Sequence, residues 1–404
     1  KYTEPALRAA AELSQKHIPA KLLPDKAIDV VDETGAHARM HSPEGEVITI
    51  QVAEIEKTVA RISGVPVASV TANERMQLKD LDKKLKAAIY GQDSAINKLV
   101  TSIKLSRSGL RAGHKPIGNF LFVGPTGVGK TEVCKVLSET LGLPLHRFDM
   151  SEYQEKHAVA RLVGAPPGYV GFEQGGLLTE AVNKNPYALI LLDELEKAHP
   201  DIYGVLLQVM DAGRLTDSQG RESDFSHVIL VMTSNAGAAE TAKGNIGLVE
   251  QERSLHSMEA IKKTFSPEFL NRLDAIVPFH SLSEESLMMV VDKFIDELRM
   301  QLALKKVDLQ ISLEAKKWIM KKGYEPAYGA RPMGRTIEEY VKKPLVEELL
   351  FGRIADGGTV VVSLANAKNS LGNVTETLEF QYSSLAPSLP LPKSSTNPKD
   401  PVEA

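Results

Sequence analysis

The sequence predicts an α/β fold in which a mainly parallel sheet lies between helices. Four short apolar runs, typical of buried strands, alternate with helical segments of about a dozen residues. Such segments connect parallel strands by right-handed crossovers, which place helices on both faces of the sheet. A glycine-rich segment follows the first run directly and opens a helix, as expected at the ligand edge of such a sheet. Mainly helical patterns before and after this region predict smaller flanking domains.

The composition is that of a folded protein with two or three domains. The chain has 404 residues, of which 43% are hydrophobic and 25% charged, and its formal net charge is −4. This balance excludes a disordered chain and gives no general reason to expect nucleic acid as a partner. The single cysteine, Cys134, excludes an intramolecular disulfide framework. Because no apolar run approaches the roughly 20 residues that span a bilayer and no signal peptide opens the chain, we expect a cytoplasmic protein without membrane contact.

Helical periodicity dominates the start of the chain. It predicts helices from Glu4 to His17, from about Pro24, and from Val52 to Ile62, which together form a small helical domain over residues 1–62. Residues 63–118 then form a connector and the start of the next module, with helices of their own. Because Lys1 lies inside helical pattern and is not Met, we expect a fragment of a longer protein.

The strands and later helices define two further domains. The predicted strand runs of the large α/β domain, residues 119–280, are 120–123, 145–149, 188–192 and 228–233. A smaller domain over 281–383 follows, with amphipathic helices at 284–304 and 336–350 and strands at 359–364 and 375–382. From residue 384 to 404 the chain is rich in Pro, Ser and Lys without periodicity, and this composition predicts a disordered tail.

The strongest chemical signal is a phosphate-binding loop of the pattern G-x-x-x-x-G-K-[ST]. Its glycines let backbone N–H groups turn around an anion, and the following helix N-terminus adds a favourable dipole. The lysine is expected to reach the β- and γ-phosphates of a nucleotide, and the threonine hydroxyl to ligate Mg²⁺. The loop consists of Gly124, Pro125, Thr126, Gly127, Val128, Gly129, Lys130 and Thr131.

Two later strand ends carry candidate catalytic groups. Asp193 and Glu194 follow an apolar run directly, and strand ends of this kind face the ligand crevice of a parallel sheet. Asp193 suits Mg²⁺ coordination through water, and Glu194 suits polarising the attacking water, which favours ATP hydrolysis. Asn235 ends another strand and either orients the same water or is a simple turn residue.

The order of these motifs resembles the AAA+ ATPases of the Clp/Hsp100 group. The resemblance covers nearly the whole chain apart from the tail. It includes two further motifs, N-R-L-D at 271–274 and G-A-R-P at 329–332. It implies that the chain holds the second ATPase module of a two-module protein, and that residues 1–62 are similar to the small domain closing the first module.

The resemblance also implies roles for residues outside the phosphate loop. Arg272 corresponds to an arginine finger that acts on the nucleotide of a neighbouring subunit, and Arg331 to a sensor on the small domain. Ile89 and Tyr90 correspond to residues against the adenine, although both also suit core positions. Gly168, Tyr169, Val170 and Gly171 lie in a glycine-rich stretch and correspond to a pore loop that grips protein substrates, whereas the alternative is a tyrosine packed on its own loop.

A peptidase-coupled branch of the group is indicated by one tripeptide. Ile246, Gly247 and Leu248 match the docking loop of ClpA-type unfoldases, which carry protein substrates into a ClpP-type peptidase. The expected protein is an ATP- and Mg²⁺-dependent homo-hexamer that unfolds tagged or unfolded proteins and is not itself a peptidase. Two alternatives remain, a stand-alone Hsp100 disaggregase and a nucleic-acid-remodelling ATPase. The charge balance argues against the second, and no nucleic acid is expected as a partner.

Overall fold

The structure, a computed structural model, describes most of the chain. The described residues are 1–18, 22–41, 48–63, 74–108, 115–164, 175–217, 220–237, 258–326, 328–368 and 374–384. The expected pore loop at 168–171, the docking tripeptide at 246–248 and the tail beyond 384 lie outside them. Two compact units are present, Lys1–Ser283 with Ala327–Gly329, and Glu284–Pro326 with Ala330–Ala404.

The first unit alternates helices with short strands. Its helices are α1 (Glu4–His17), α2 (Asp25–Met40), α3 (Val52–Ser63), α4 (Glu74–Ala88), α5 (Asp93–Arg107), α6 (Lys130–Leu141), α7 (Lys156–Val163), α8 (Leu177–Lys184), α9 (Pro200–Ala212) and α10 (Pro267–Asn271). Its strands are β1 (Gly118–Val123), β2 (Leu145–Asp149), β3 (Leu189–Asp193), β4 (Arg214–Thr216), β5 (Glu222–Asp224), β6 (Ile229–Ser234) and β7 (Ala275–Pro278). Single 3₁₀ turns cover Met150–Tyr153 and Leu195–Lys197, and residues 258–264 are helical.

Five of these strands form one parallel sheet in the order β2-β3-β6-β1-β7. The register places Asp149 opposite Asp193, and Val123 opposite Ser234. The carboxyl ends of β1, β2, β3 and β6 therefore meet at one edge of the sheet. At this edge the phosphate loop follows β1, and Asp193 and Glu194 lie at the end of β3. The predicted α/β fold class is confirmed.

Successive side chains along a strand pack alternately into two apolar cores, one on each face of the sheet. On β1, Phe120 and Phe122 belong to one apolar core, whereas Leu121 and Val123 belong to the other. Because successive side chains of a strand point to opposite faces of the sheet, a strand that is apolar throughout must have both faces covered. All six residues of β1 are buried, as are all six of β6. Burial on both faces explains why these two strand runs are mostly apolar.

Two parts of the first unit were not predicted from the sequence. Strand β7 pairs with β1 at the edge of the sheet, with Phe120 opposite Ala275. Strands β4 and β5 form an antiparallel hairpin, in which Arg214 contacts Glu222 at 2.9 Å. Both parts are too short to carry a clear apolar run. The three amino-terminal helices are where periodicity placed them, with Ala6, Val30 and Ile55 fully buried.

The second unit is a helical layer with a three-stranded sheet. Its elements are α11 (Glu284–Ala303), β8 (Val307–Ile311), α12 (Leu313–Gly323), α13 (Met333–Ile337), a π-helical turn (Glu338–Lys342), α14 (Lys343–Leu350), β9 (Gly358–Lys368) and β10 (Val374–Ser384). Strand β9 pairs antiparallel with β10 and parallel with β8. Strand β8 was not predicted, and the helix expected over 336–350 is interrupted by the π-helical turn.

Candidate nucleotide site

Positive backbone angles shape the loop between β1 and α6. Gly124, Gly127 and Gly129 have φ values of 144°, 73° and 108°, a region that residues with a Cβ rarely adopt. At Gly124 a Cβ would also lie 2.3 Å from the carbonyl oxygen of Phe279. The loop therefore needs glycine for its conformation and for its close packing. It leads into α6, whose first residue is Lys130, and so presents a helix N-terminus to an anion.

Lys130 lies at the centre of the loop with its side chain largely buried. Its Nζ donates to the carbonyl oxygens of Gly124 and Pro125 at 2.5 and 2.8 Å, and to Oδ1 of Asn235 at 2.8 Å. The ammonium group thus joins the ends of β1 and β6. An ammonium group held at this place can contact the phosphates of a nucleotide in the loop.

Asp193 is the residue on which the neighbouring strands converge. Its Oδ1 accepts a hydrogen bond of 2.5 Å from the Thr233 hydroxyl, and its Oδ2 lies 3.4 Å from the hydroxyl of Thr131. From β2, Arg147 donates to the same Oδ2 through Nε at 3.1 Å and through a terminal nitrogen at 2.7 Å. Asp193 is 6% exposed, and these contacts compensate the burial of its charge.

Glu194 adopts a left-handed backbone conformation, with φ 58° and ψ 50°. The Thr233 hydroxyl, which donates to Asp193, accepts from the Glu194 N–H at 3.0 Å. The Glu194 carboxylate pairs with Lys197 at 2.5 Å. This hydrogen bond raises the pKa of Lys197. An unfavourable backbone conformation in a residue other than glycine is typical of functional sites.

Asn235 connects Lys130 to the 3₁₀ turn Leu195–Lys197, which follows β3. Besides accepting from Lys130, it donates its backbone N–H to Oε1 of Glu196 at 3.0 Å. The structure therefore brings together Lys130, Thr131, Asp193 and Asn235, with Glu194 directly after Asp193. The sequence predicted these residues as one site. It did not predict Arg147, Lys197 or Thr233, because those contacts depend on strand register and side-chain direction.

Ile89 lies beside the loop, and Tyr90 follows it in a less buried environment. Ile89 is 6% exposed and belongs to the apolar core, and a Cβ on Gly129 would lie 3.6 Å from its Cγ2. Tyr90 is half-buried. Gln92, which no sequence motif indicated, donates to the carbonyl oxygen of His280 at 2.8 Å and accepts from its N–H at 3.1 Å.

Arg272 lies at the end of α10, a helix capped by Ser266 accepting from Phe269 N–H at 3.2 Å. Its guanidinium contacts Asp211 through a short hydrogen bond and Glu268 at 2.9 Å. The hydrogen bond to Asp211 raises the pKa of Arg272. Within one chain, the expected finger is thus paired with two carboxylates. Arg331 is an exposed residue of the second unit.

The donor set fits a magnesium ion bound together with a nucleotide. Mg²⁺ prefers oxygen ligands and uses one or two protein groups with substrate phosphates and water. The hydroxyl of Thr131 and Oδ2 of Asp193, 3.4 Å apart, offer such groups. No cluster of three His, Cys, Asp or Glu side chains able to hold a metal occurs in the described part of the chain. In the usual Mg²⁺–nucleotide chemistry the remaining ligands would be phosphates and water.

Three family models match the chain in succession. An AAA lid domain matches residues 1–86, an AAA domain of the Cdc48 subfamily matches 115–276, and the C-terminal, D2-small domain of ClpB protein matches 282–362. Within the described residues, no helix is both long enough and apolar enough to cross a membrane.

Curated proteins with related sequences carry Clp names. The chain is 52% identical to a ClpA homolog protein of Fuscovulum blasticum, over 90% of this chain and 46% of the relative. It is 45% identical to the chaperone protein ClpB of Lactiplantibacillus plantarum, over 89% and 41%. It is 40% identical to the ATP-dependent Clp protease ATP-binding subunit ClpE of Lactococcus lactis subsp. lactis, over 88% and 56%. The chain thus spans about half the length of these relatives.

A solved structure agrees with these matches. The closed state of Hsp104 with ATPγS and FITC casein superposes with a TM-score of 0.73 at 34% identity, over 94% of this chain and 64% of that one. Family models, relatives and solved structure all point to the same group as the phosphate loop and the acidic strand end. The chain therefore belongs to the Clp/Hsp100 family of AAA+ proteins.

Proposed function

We propose that the site hydrolyses ATP and that hydrolysis drives the unfolding of protein substrates, which pass through a ring into a ClpP-type peptidase. The observation that carries the ATPase part is the convergence of Lys130, Thr131 and Asp193 at one sheet edge, with Glu194 next in the chain. The peptidase-coupled part is supported by Ile246-Gly247-Leu248 and by the ClpA homolog as a relative at 52% identity.

Each residue of the site has a distinct task in this proposal. Lys130 binds the β- and γ-phosphates, and the loop N–H groups orient them. Thr131 would hold Mg²⁺ directly and Asp193 would hold it through water, and the ion would there neutralise charge on the phosphates. Glu194 accepts a proton from the attacking water. To do so, its carboxylate must release its ion pair with Lys197 and bind that water instead. Asn235 accepts a hydrogen bond from Lys130 and would orient the water.

Assembly and coupling involve residues farther from the loop. Arg272 would stabilise transition-state charge on the nucleotide of the next subunit in a homo-hexamer, which makes hydrolysis depend on assembly. Arg331 would report nucleotide state to the second unit, and Ile89 and Tyr90 would line the adenine. Tyr169, with Gly168, Val170 and Gly171, would grip unfolded or tagged protein substrates by contact area and not by sequence.

Two variants separate gripping from docking. Tyr169→Ala should retain ATP turnover but lose unfolding of a stable tagged protein. Deleting Ile246-Gly247-Leu248 should retain unfolding but reduce degradation by an added ClpP-type peptidase, since each fully buried aliphatic side chain contributes about 1.5–3 kcal/mol. Small losses per loop compound across a ring through avidity. Deleting Gln251-Glu252-Arg253 from the same stretch is the matched control and should leave degradation unchanged.

The alternative is a stand-alone disaggregase, which the ClpB relative at 45% identity favours. Co-sedimentation with a ClpP-type ring distinguishes the two functions. If the ring does not bind, the disaggregase replaces the peptidase-coupled unfoldase. If the ring binds and binding survives the 246–248 deletion, the docking role of this tripeptide is wrong. A nucleic-acid-remodelling ATPase would instead show DNA-stimulated hydrolysis and salt-dependent DNA binding.

A further inference from the structure

A groove on the second unit has no role in the proposed ATPase cycle. It has a volume of about 340 Å³ and lies between α12, the π-helical turn and β10. Its apolar lining is formed by Trp318, Tyr340, Leu378 and Phe380, and Pro344 lies beside them. Tyr340 is 38% exposed, so the groove presents an aromatic surface to the outside of this unit.

The geometry of the two large rings suits a narrow, ring-shaped apolar group. Trp318 and Tyr340 meet edge to face, with centroids 5.2 Å apart and planes at 83°. At this separation the edge of one ring contacts the face of the other, so the two rings form one continuous aromatic surface on which a flat pyrrolidine ring can pack. Aromatic-lined grooves of this kind bind proline-rich segments in the polyproline II conformation, which loses little entropy on binding.

Charge at the rim favours a basic residue in the bound segment. Glu339 and Glu376 lie at the groove and are both exposed. Among the described lining residues, Lys322 is basic and places its Nζ 5.9 Å from the centroid of the Trp318 ring. Two carboxylates against one ammonium group leave a net negative charge among these described lining residues, which attracts a basic side chain.

The groove is built on two irregular or unpaired parts of the backbone, a π-helical turn and an edge strand. Tyr340 lies in the π-helical turn Glu338–Lys342, and π-helical turns in proteins are frequently found at functional sites. Strand β10 is the edge strand of its sheet and pairs with β9 alone among the described strands. Its half-buried Leu378 and Phe380 line the groove from that edge.

We propose that the groove binds a segment of this same chain, Leu389-Pro390-Leu391-Pro392-Lys393. These residues alternate leucine with proline and end in a lysine, which matches an aromatic groove with an acidic rim. A segment of this composition has no apolar periodicity from which to build a core of its own. It can bury its leucine and proline side chains only against another surface.

The position of the segment in the chain makes the contact sterically reachable. Strand β10 ends at Ser384, and its groove residues Glu376 to Phe380 lie four to eight positions before that end. At about 3.3 Å per residue this corresponds to about 13–26 Å along the strand. Residues 385–391 span about 22 Å in the polyproline II conformation, at about 3.1 Å per residue. A reversal after Ser384 therefore brings the Leu-Pro repeat over the groove.

Tethering allows even a weak intrinsic interaction to be well populated. A short linker gives an effective concentration of about 1 mM, so a segment with an intrinsic Kd of about 0.1 mM would be roughly 90% bound. The docked segment would cover Tyr340 and the outer edge of β10. The tail of one chain would thereby protect a strand edge that could otherwise pair with another chain.

The single tryptophan of the chain provides a direct readout, because Trp318 is the only one. In protein labelled with ¹⁵N-tryptophan, the indole N–H of Trp318 gives one NMR cross-peak. Removing residues 385–404 should shift this cross-peak, and Pro390→Ser with Pro392→Ser should shift it to the same position. Adding a synthetic peptide of residues 385–397 to the truncated protein should return it towards the full-length position. Tyr340→Ala should abolish that return.

Two comparisons can overturn the proposal. Pro398→Ser with Pro401→Ser removes the same number of prolines outside the segment and should leave the cross-peak unchanged; an equal shift in this variant contradicts specific docking. An unchanged cross-peak after truncation also contradicts it. If the full-length position depends on protein concentration, the segment comes from a second copy, and intramolecular docking is wrong. Circular dichroism melting of each variant verifies that the second unit stays folded.

Discussion

At the scale of single residues, Asp193 shows how the site is assembled from several strands. Thr131 from α6, Arg147 from β2 and Thr233 from β6 all contact its two carboxylate oxygens. The sequence indicated Asp193 because it ends an apolar run, and it indicated Thr131 through the loop pattern. Arg147 could not be predicted, since its contact requires β2 beside β3 with Asp149 opposite Asp193. Motifs identify residues close in the chain, whereas register brings the others together.

The different contacts of Lys130 and Glu194 predict different defects. Lys130→Ala should remove the ammonium group that joins Gly124, Pro125 and Asn235, and nucleotide binding should fall at least tenfold. Glu194→Gln should bind nucleotide normally and lose hydrolysis, because only proton transfer is affected. Binding of a fluorescent ATP analogue and phosphate release measure the two steps. Lys135→Ala, an exposed position on the same helix paired with Glu132, is the control. Equal loss of affinity in both variants would contradict the assigned roles.

Arg147 predicts a change in magnesium dependence. Its guanidinium lies 2.7 Å from Oδ2 of Asp193, the oxygen that faces the Thr131 hydroxyl. Removing this charge in Arg147→Gln should strengthen divalent-cation binding about two- to fivefold, a modest effect because the arginine is 46% exposed. Magnesium titration of nucleotide affinity measures the shift, and Arg147→Lys should retain most of the original dependence. A higher magnesium requirement in Arg147→Gln would indicate that the arginine mainly orients Asp193.

At the scale of elements, continuous apolar runs were the most reliable signal. Strands β1, β2, β3 and β6 were predicted within about two residues. For β1, β3 and β6 the reason is that burial on both faces demands uninterrupted apolar sequence, whereas β2 is only half-buried and carries His146 and Arg147. Strand β8 was not predicted, since its buried and exposed residues alternate over only five positions. Helical periodicity predicted one helix over 336–350, but local periodicity does not distinguish an α-helix from one containing a π-helical turn.

Opposite effects are expected for glycine substitutions in the phosphate loop and in α9. Gly124→Ala places a Cβ 2.3 Å from Phe279 oxygen at a φ of 144°, which should abolish nucleotide binding and destabilise the fold by at least about 1–3 kcal/mol. Gly204→Ala in α9 meets nothing within 4 Å and should stabilise by up to about 1 kcal/mol, the helix propensity difference. Urea denaturation measures both. Similar stability changes for the two variants would show that the close approach to Phe279 is easily relieved.

At the scale of the whole molecule, Arg272 must change its contacts if it is to act on a neighbouring subunit. In one chain it is neutralised by Asp211 and Glu268. A guanidinium that acts on a neighbour's nucleotide must exchange these carboxylates for phosphate oxygens, which are also bound by bidentate hydrogen bonds. The exchange is feasible because the side chain is 27% exposed at the end of a short helix. The intramolecular pairs would then keep the finger from acting before subunits meet.

Mixing two inactive variants tests whether Arg272 acts between subunits. Arg272→Ala retains Glu194, and Glu194→Gln retains Arg272, so neither should hydrolyse ATP alone. In randomly mixed rings, about one interface in four combines an intact Glu194 with an intact Arg272 from the neighbour, and about a quarter of wild-type hydrolysis should return if the finger acts in trans. A finger acting within its own subunit would restore nothing, since every subunit then lacks one of the two groups. Subunit exchange, verified by fluorescence energy transfer between labelled variants, makes absence of recovery decisive. Asp211→Asn is informative in the same assay, because loosening the intramolecular pair should leave the trans contact intact and retain hydrolysis in unmixed rings.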